Sequence, residues 1–478
     1  MTLDRRELLQ RALLAGLGAS LPGEALAAGL AAAAQPQWAL ALGDVDGDIS
    51  PRALTRLHGR LPANLEGTLY RNGPALFRRG GTAVNHWFDG DGLVRAFALR
   101  NGRAMLQARF VDTVKRQIEA AAGRIVQPGF GTPIRPGAVL GSADDTNAAN
   151  THVIAAGGRL LALWEAGSAH ALDPATLATD GPVTFRPDLK GMPFLAHPKV
   201  EASGRIWNIG LSGKSAFVWR LSAAGALEAG QLIKLPRASY MHDFTMTQRH
   251  LIIVLQPWLH ETADMPFSRG MRWRPEQGTR VLVIDKADLT RQRVYELPAL
   301  FFFHLGDGWE DKDGTIHFDG AFDDSPLFAS ETASALVEGR YPRTERPLLR
   351  LVTLHPNGRA QMQSTEITAE FLRNPVGSPG PRPTFHVGGY RPERPFARSI
   401  NRWDWQRGRG QSHDFGAQQI VEEFVPAGRW LIGTTINLAA RATELHVLDS
   451  RHIDAGPVAS FRADVALPHS FHGSWMPA

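Results

Sequence analysis

The 478-residue chain contains no cysteine. That excludes disulfides, zinc–thiolate sites, iron–sulfur clusters and a cysteine nucleophile, and it says nothing about compartment. Neither sign of charge dominates: 52 Lys and Arg face 47 Asp and Glu, for a formal net charge of +5. The basic residues are scattered rather than striped, so nucleic acid is a poor partner for this chain. No apolar run approaches the ~20 residues needed to span a bilayer as a helix. The glycine-rich stretches Gly129-Phe130-Gly131-Thr132 and Arg79-Gly80-Gly81-Thr82 lack the following Gly-Lys-Ser/Thr of a phosphate loop and read as turns. Phe88-Asp89-Gly90-Asp91-Gly92 lacks the twelve-residue ligand pattern of a calcium loop and reads as a tight turn. A Gly-x-Ser-x-Gly elbow is also missing, which excludes an α/β-hydrolase.

What the chain does have is turns. It holds 48 glycines and 32 prolines. Between Gly-Gly, Asn-Gly and Asp-Gly pairs lie short apolar runs such as Leu160–Trp164, Leu251–Leu255, Val281–Ile284 and Leu348–Val352. Many short strands at regular spacing predict an all-β sandwich, barrel or propeller. For so long a stretch without a linker, a propeller of six to eight blades fits best. Helical signals are confined to segments such as 327–337 and 365–373.

The N-terminus reads as a targeting segment. Asp4-Arg5-Arg6-Glu7 precedes an uncharged run from Ala12 to Gly23, followed by the small-x-small triplet Ala25-Leu26-Ala27. This order is that of an export signal, and the paired arginines resemble a twin-arginine signal. An amphipathic N-terminal helix is the alternative. The expected organisation is an export signal over 1–28, a linker over 29–50 and a single propeller domain over 51–478. The expected compartment is the periplasm or the cell exterior.

Of the 17 histidines, most need no function. His152, His170, His250, His260, His355 and His446 fall at strand ends or loops, where hydrogen-bonded histidines are ordinary. Four stand apart: His197 in Phe-Leu-Ala-His-Pro-Lys-Val, His242 in Ser-Tyr-Met-His-Asp-Phe, His304 in Phe-Phe-Phe-His and His472 in Ser-Phe-His-Gly. Each follows aromatic or aliphatic neighbours. Spread so widely, they form a site only if the chain keeps returning to one point, as the inner strands of a propeller do.

The same residues carry a family resemblance. Leu65-Glu66-Gly67-Thr68-Leu69-Tyr70-Arg71-Asn72-Gly73-Pro74, His86-Trp87-Phe88-Asp89-Gly90-Asp91-Gly92, Leu163-Trp164-Glu165, Ala196-His197-Pro198-Lys199, Met241-His242-Asp243-Phe244, His304 with Glu310 six residues on, and Phe471-His472-Gly473-Ser474-Trp475 follow one another as in the carotenoid cleavage oxygenases. That family includes apocarotenoid- and stilbene-cleaving dioxygenases and the retinoid isomerase. The resemblance implies a seven-bladed β-propeller with loops forming a cap over its top face. It also implies one ferrous iron, Fe(II), per chain, held on the axis by His197, His242, His304 and His472. Four neutral imidazoles suit a first-row divalent metal.

The family also implies three glutamates that hold the ligand imidazoles through their outer N–H groups. Glu165 matches cleanly. The second is expected three residues before Phe424-Val425-Pro426, at Val421, so that Glu422 or Glu423 supplies it after a short shift; a solvated turn is the competing reading of that pair. The third is expected before a phenylalanine near Phe385, where this chain has Thr384, with His386 two positions on. Glu310 is a lesser candidate that also fits a turn cap.

The function implied is cleavage of a conjugated C=C bond of a carotenoid or apocarotenoid by O2 to two carbonyl products. The partners are then a lipophilic polyene substrate and O2. A stilbene- or phenylpropenoid-cleaving dioxygenase is the near alternative. Leu106 stands where that branch places a phenol-gripping tyrosine, three residues before Arg109-Phe110-Val111, which favours the polyene. A catalytically silent propeller that binds a hydrophobic ligand is the alternative from another class; a zinc hydrolase fits poorly, since no base carboxylate accompanies the histidines. The basic and apolar segment from Val114 to Ile134 reads either as a peripheral membrane contact beside a substrate entrance or as a connecting loop packed on the propeller.

Overall fold

The computed structural model describes residues 35–342, 345–375 and 381–478, so the proposed export signal over 1–28 lies outside the described residues. Seven antiparallel sheets of four or five strands follow one another along the chain as the blades of a seven-bladed β-propeller. The apolar runs become its strands: Arg159–Leu163, His250–Leu255, Thr279–Asp285 and Leu348–Leu354. These runs are continuous rather than alternating because a blade is covered on both faces. Leu251 to Leu255, for instance, are all buried.

Every seam between blades has its own apolar cluster. Leu69, Phe97 and Leu106 of the first blade meet Ile432, Leu445 and Phe461 of the seventh. Ile209 and Val218 of the third meet Leu251 and Leu282 of the fourth, and the other five seams are built alike. The ring closes at two places. The C-terminal strand Gly473–Pro477 pairs with Gly67–Leu76 of the first blade, with Gly473 opposite Arg71. The N-terminal strand Thr55–Gly59 pairs with Ala459–Arg462 of the seventh blade.

Three expectations need correction. Residues 365–373 are strand, not helix: Ala360–Thr368 and Glu370–Arg373 pair within the fifth and sixth blades, where Thr365, Ile367 and Thr368 suit an extended chain. Residues 327–337, by contrast, are helical. A helix over Val114–Ala122 had no counterpart in the sequence reading; it is capped by Thr113 and ended by Gly123 in the left-handed region. Finally, the stretch 29–50 does not serve as linker throughout. Trp38, Ala41 and Leu42 of the turn Gln37–Leu42 are buried against Leu336, Phe396 and their neighbours, because they are apolar and have a surface to cover.

Loops between strands form the cap, and the Phe-Asp-Gly-Asp-Gly motif anchors it. The buried Asp89 accepts from the backbone N–H groups of Phe130, Gly131 and Thr132 at 2.6, 3.0 and 2.8 Å, which pins the 129–132 loop over the axis. Asp91 anchors the helix: Lys115 Nζ lies 2.7 Å from Asp91 and 2.9 Å from Glu119, all three buried. Of the two readings of the Val114–Ile134 segment, its helix is therefore the packed connection. Among the described residues, no helix is long and apolar enough to cross a membrane.

Burial alone would raise the Asp91 carboxyl, but Lys115, Arg116 and Arg79 outweigh it and hold it below the usual carboxylate range. Its contribution is therefore present at neutral pH and is lost as pH falls through that lowered value. Replacing Lys115 by Met leaves Asp91 to Arg79 and Arg116 and Glu119 to the backbone N–H groups of Val126 and Gln127, and with the buried ammonium gone should cost about 3 kcal/mol. Urea denaturation of wild type and Lys115→Met checks this; a loss under about 1 kcal/mol would show that Arg79 and Arg116 suffice alone.

Candidate metal centre

The four singled-out histidines come from four blades. His197, His242 and His472 stand one to three residues before the inner strands Lys199–Val200, Thr245–Met246 and Gly473–Pro477, and His304 lies within Phe301–Leu305. All four are buried, with one ring nitrogen of each lying within 4.8 Å of the others. Nε2 of His197 is 2.9 Å from Nε2 of His242, and Nε2 of His304 is 3.0 Å from Nε2 of His472.

Those contacts are at hydrogen-bond distance, yet three of the four outer nitrogens are already engaged. His242 Nδ1 donates to Glu165 and His304 Nδ1 to Glu370. His472 Nδ1 donates to Glu423 Oε1 at 2.9 Å. A neutral imidazole whose proton sits on Nδ1 presents a lone pair at Nε2. Protonation does not relieve the crowding. Burial first, and the neighbouring imidazoles second, push His197 and His472 well below the usual histidine value. His304 is pushed down to about 3, by burial and then by His242. With three of the rings so disfavoured as imidazolium, nitrogens converging in a buried site favour a metal cation. Two nitrogens bound at right angles to one ion at the Zn–N distance of ~2.1 Å sit ~3.0 Å apart, as they do here. The four-histidine group fits a metal site.

The carboxylates are held differently. Glu165 also accepts from Tyr240 Oη at 3.2 Å. Glu423 is gripped by Arg71 and Arg373, each at 2.7 Å, and by the Gly473 N–H at 3.0 Å. Burial opposes its ionisation, but the two arginines outweigh it and hold its carboxyl below the usual range. Among the described residues Glu370 accepts otherwise only from the Phe371 N–H, and burial pushes its carboxyl up to about 8. The ionised form of Glu370 thus depends on positive charge arriving beside it. His197 has no carboxylate within hydrogen-bond reach. Its Nδ1 lies 4.0 Å from Asp243, which pairs with Lys199 at 2.8 Å and accepts from the Leu305 N–H at 2.9 Å, tying three blades together behind the ring.

The structure therefore brings Glu165 and Glu423 to the imidazoles and leaves two expected residues elsewhere. Glu422 is buried but turned the other way, accepting from Ser470 and Thr434; it positions the segment before His472 rather than the ring. Glu310 bonds Thr247, Arg249 and His250, since its short strand Trp309–Glu310 leaves the axis. The third carboxylate is Glu370, which sequence reasoning missed. The expected position, Thr384, is buried against Asp319 and Asn374. The usable signal was Glu370-Phe371, the same Glu-Phe pair as Glu423-Phe424. His152 is buried close by, its ring 5.4 Å from that of His472, but its nitrogens face the carbonyls of Ala196 and Gly473.

Three of these residues occupy breaks in strand register. His304 lies between Phe302 and Leu305, Glu370 opens the irregular stretch to Arg373, and Glu423 lies between Val421 and Phe424. A bulge re-aims a side chain that the pleat would point elsewhere. Beside Glu370, Phe371 takes φ 53°, an unfavourable conformation for a bulky residue, and its ring stacks on His304 at 5.0 Å.

Above the histidines the cap encloses a cavity of about 570 Å³. Its walls are chiefly apolar, with the aromatic rings of Phe88, Phe130, Tyr240, Phe303, Phe328 and Phe471 among them.

Residues 44–477 match the family model for retinal pigment epithelial membrane protein (RPE65). The chain belongs to this family, the carotenoid cleavage oxygenases. It is 28% identical to apocarotenoid-15,15'-oxygenase of Synechocystis sp., over 88% of this chain and 92% of the relative. It is 27% identical to lignostilbene-alpha,beta-dioxygenase isozyme III of Sphingomonas paucimobilis, over 91% and 95%. The crystal structure of cobalt-substituted Synechocystis ACO superposes with a TM-score of 0.83 at 24% identity, covering 92% of this chain and 98% of that one; it shares the fold.

Loss of a carboxylate behind a metal-bound imidazole costs roughly 10–100-fold in metal affinity. Glu370→Gln should therefore lose a divalent ion to a mild chelator that much more readily than wild type, and Glu310→Gln should match wild type. Metal content after dialysis decides; equal retention by both variants would remove Glu370 from the site.

Proposed function

We propose that the protein is an Fe(II)-dependent dioxygenase that splits a conjugated C=C bond of a carotenoid or apocarotenoid into two carbonyl products, with one iron per chain held by His197, His242, His304 and His472. The observation that carries this reading is the convergence of four buried histidines on one point beneath an aromatic-rich cavity. Iron(II), when bound, supplies the centre at which O2 and the double bond are brought together. The chain supplies the rest. Glu165, Glu370 and Glu423 fix three rings and keep their protons on Nδ1. Phe303, Phe371 and Phe471 stand around the histidines and exclude water, while the cavity walls align an elongated apolar substrate.

The choice of a polyene over a stilbene rests on a different residue set from that expected. Leu106 is buried in the seam between the first and seventh blades and faces no substrate, so its identity is silent on phenols. The cavity itself speaks instead: its walls are largely apolar and suit an elongated hydrocarbon chain. The names of the relatives span both classes. For substrate entry, the half-exposed Ile134, Val139 and Leu140 form the patch proposed to touch a bilayer, since Leu140 also lines the cavity. We further propose export through the N-terminal signal, with a mature chain beginning near Ala28, to be read by N-terminal sequencing of protein from native cells.

The central test is turnover. Iron-loaded protein, incubated under 18O2 with a panel of carotenoids, apocarotenals and stilbenes, should convert polyenes into two labelled carbonyl products. Alanine at any of the four histidines should abolish this. His446→Ala should not, because His446 bonds only Thr435 and Ser460 within the seventh blade. Full iron occupancy without cleavage of any polyene would sink the reading in favour of a silent binding propeller, and cleavage of stilbenes alone would move it to that branch.

A further inference from the structure

One flank of the cavity is polar. Arg346, Asp323, Glu345 and Tyr390 line it beside Glu370. Arg346 is the only arginine or lysine in the lining among the described residues. Its plane is fixed by aromatic rings: the guanidinium carbon lies 4.5 Å from the Tyr390 centroid, 5.5 Å from Tyr341 and 5.6 Å from Phe328. Nη2 donates to Tyr341 Oη and to the Pro395 carbonyl, both at 2.7 Å. Nε is buried without a partner, and Nη1 has no acceptor among the described residues. A guanidinium carries five N–H donors, so the two on Nη1 and the one on Nε are unmatched.

A rigid cation with spare donors at the edge of an apolar cavity is costly unless something accepts from it. The surrounding charges say which acceptor. Asp323 and Glu345 already face this flank, so a carboxylate on the ligand would sit against like charge. A carbonyl oxygen would accept from Nη1 without adding any. Resting on the polyene dioxygenase reading above, we infer that Arg346 holds the terminal carbonyl oxygen of the substrate, and so selects polyene aldehydes or ketones over hydrocarbons of equal length. Holding one end also sets which double bond lies over the histidines.

Binding to the iron-loaded protein under anaerobic conditions tests this without turnover. The probes are one polyene chain carrying a terminal methyl, aldehyde or carboxylate. A hydrogen bond to a charged group predicts about 10–100-fold tighter binding of the aldehyde than of the methyl compound. The bound aldehyde should also show a red-shifted absorption band, because a cation at the carbonyl draws electron density along the conjugated chain. Arg346→Leu and Arg346→Gln should erase the preference and the shift while leaving the methyl compound's affinity within about threefold; Arg346→Lys should retain part of both. Equal affinity of the wild type for methyl and aldehyde, equal loss of both in Arg346→Leu, or tighter binding of the carboxylate than of the aldehyde would each overturn the inference and leave the dioxygenase reading standing. Failure of wild type to bind any of the three would overturn both. The wild-type series and the lysine variant decide the matter even if the leucine variant does not fold.

Discussion

Four imidazoles turn ring nitrogens toward one buried point, and the crowding there is the constraint around which the propeller is arranged. A core of apolar side chains would be easier to build on the axis. Here His197 and His242 are held 2.9 Å apart at Nε2, and His304 and His472 3.0 Å apart, with burial disfavouring protonation of His197, His304 and His472. Nothing within the ring resolves that conflict, so the fold must hold the histidines in place by other means until a cation arrives. The seven apolar seams provide the holding force. Ring closure adds to it at the right place, because Gly473, which follows His472, is zipped to Arg71 of the first blade. Arg71 in turn grips Glu423, the partner of His472. Closing the ring and seating the fourth histidine are one event.

A regular blade could not finish the job. Strands deliver side chains on a two-residue period, and four imidazoles plus three carboxylates around one axis do not share such a period. The register breaks at His304, Glu370 and Glu423 supply the missing freedom. The remaining three histidines sit just ahead of inner strands, where the chain is not yet committed to a ladder. Phe371, in an unfavourable backbone conformation against His304, shows where the strain of this arrangement is stored.

That geometry explains what was legible in the sequence. The four histidines could be found because each carries a local context and because a propeller is a fold that gathers distant residues. Glu165 was legible for the same reason. Glu423 could be located only to within two positions, since a bulge shifts the count of residues that any strand pattern relies on. Glu370 was hidden behind a helical reading of 365–373; propensity in that window is weak, and pairing with the neighbouring strand decided the outcome. Glu310 shows the opposite error. Closeness in sequence to His304 suggested closeness in space, but the chain turns off the axis between them. Leu106 failed as a guide to substrate for the same kind of reason: it belongs to a seam and not to the cavity.

The three carboxylates are not equivalent, and the difference has a chemical direction. Glu423 shares its oxygens among His472, two arginines and a backbone N–H, so little of its negative charge is left for the imidazole. Glu165 divides its charge between His242 and Tyr240. Glu370 serves His304 with only the Phe371 N–H in competition. An acceptor that is less drawn off by other donors pulls harder on the Nδ1 proton and raises the basicity of Nε2. The ring should therefore donate unevenly to a bound cation, most strongly through His304. That side also carries the polar flank of the cavity, next to Arg346. The asymmetry of the site and the asymmetry of the pocket above it thus coincide on one side of the propeller axis.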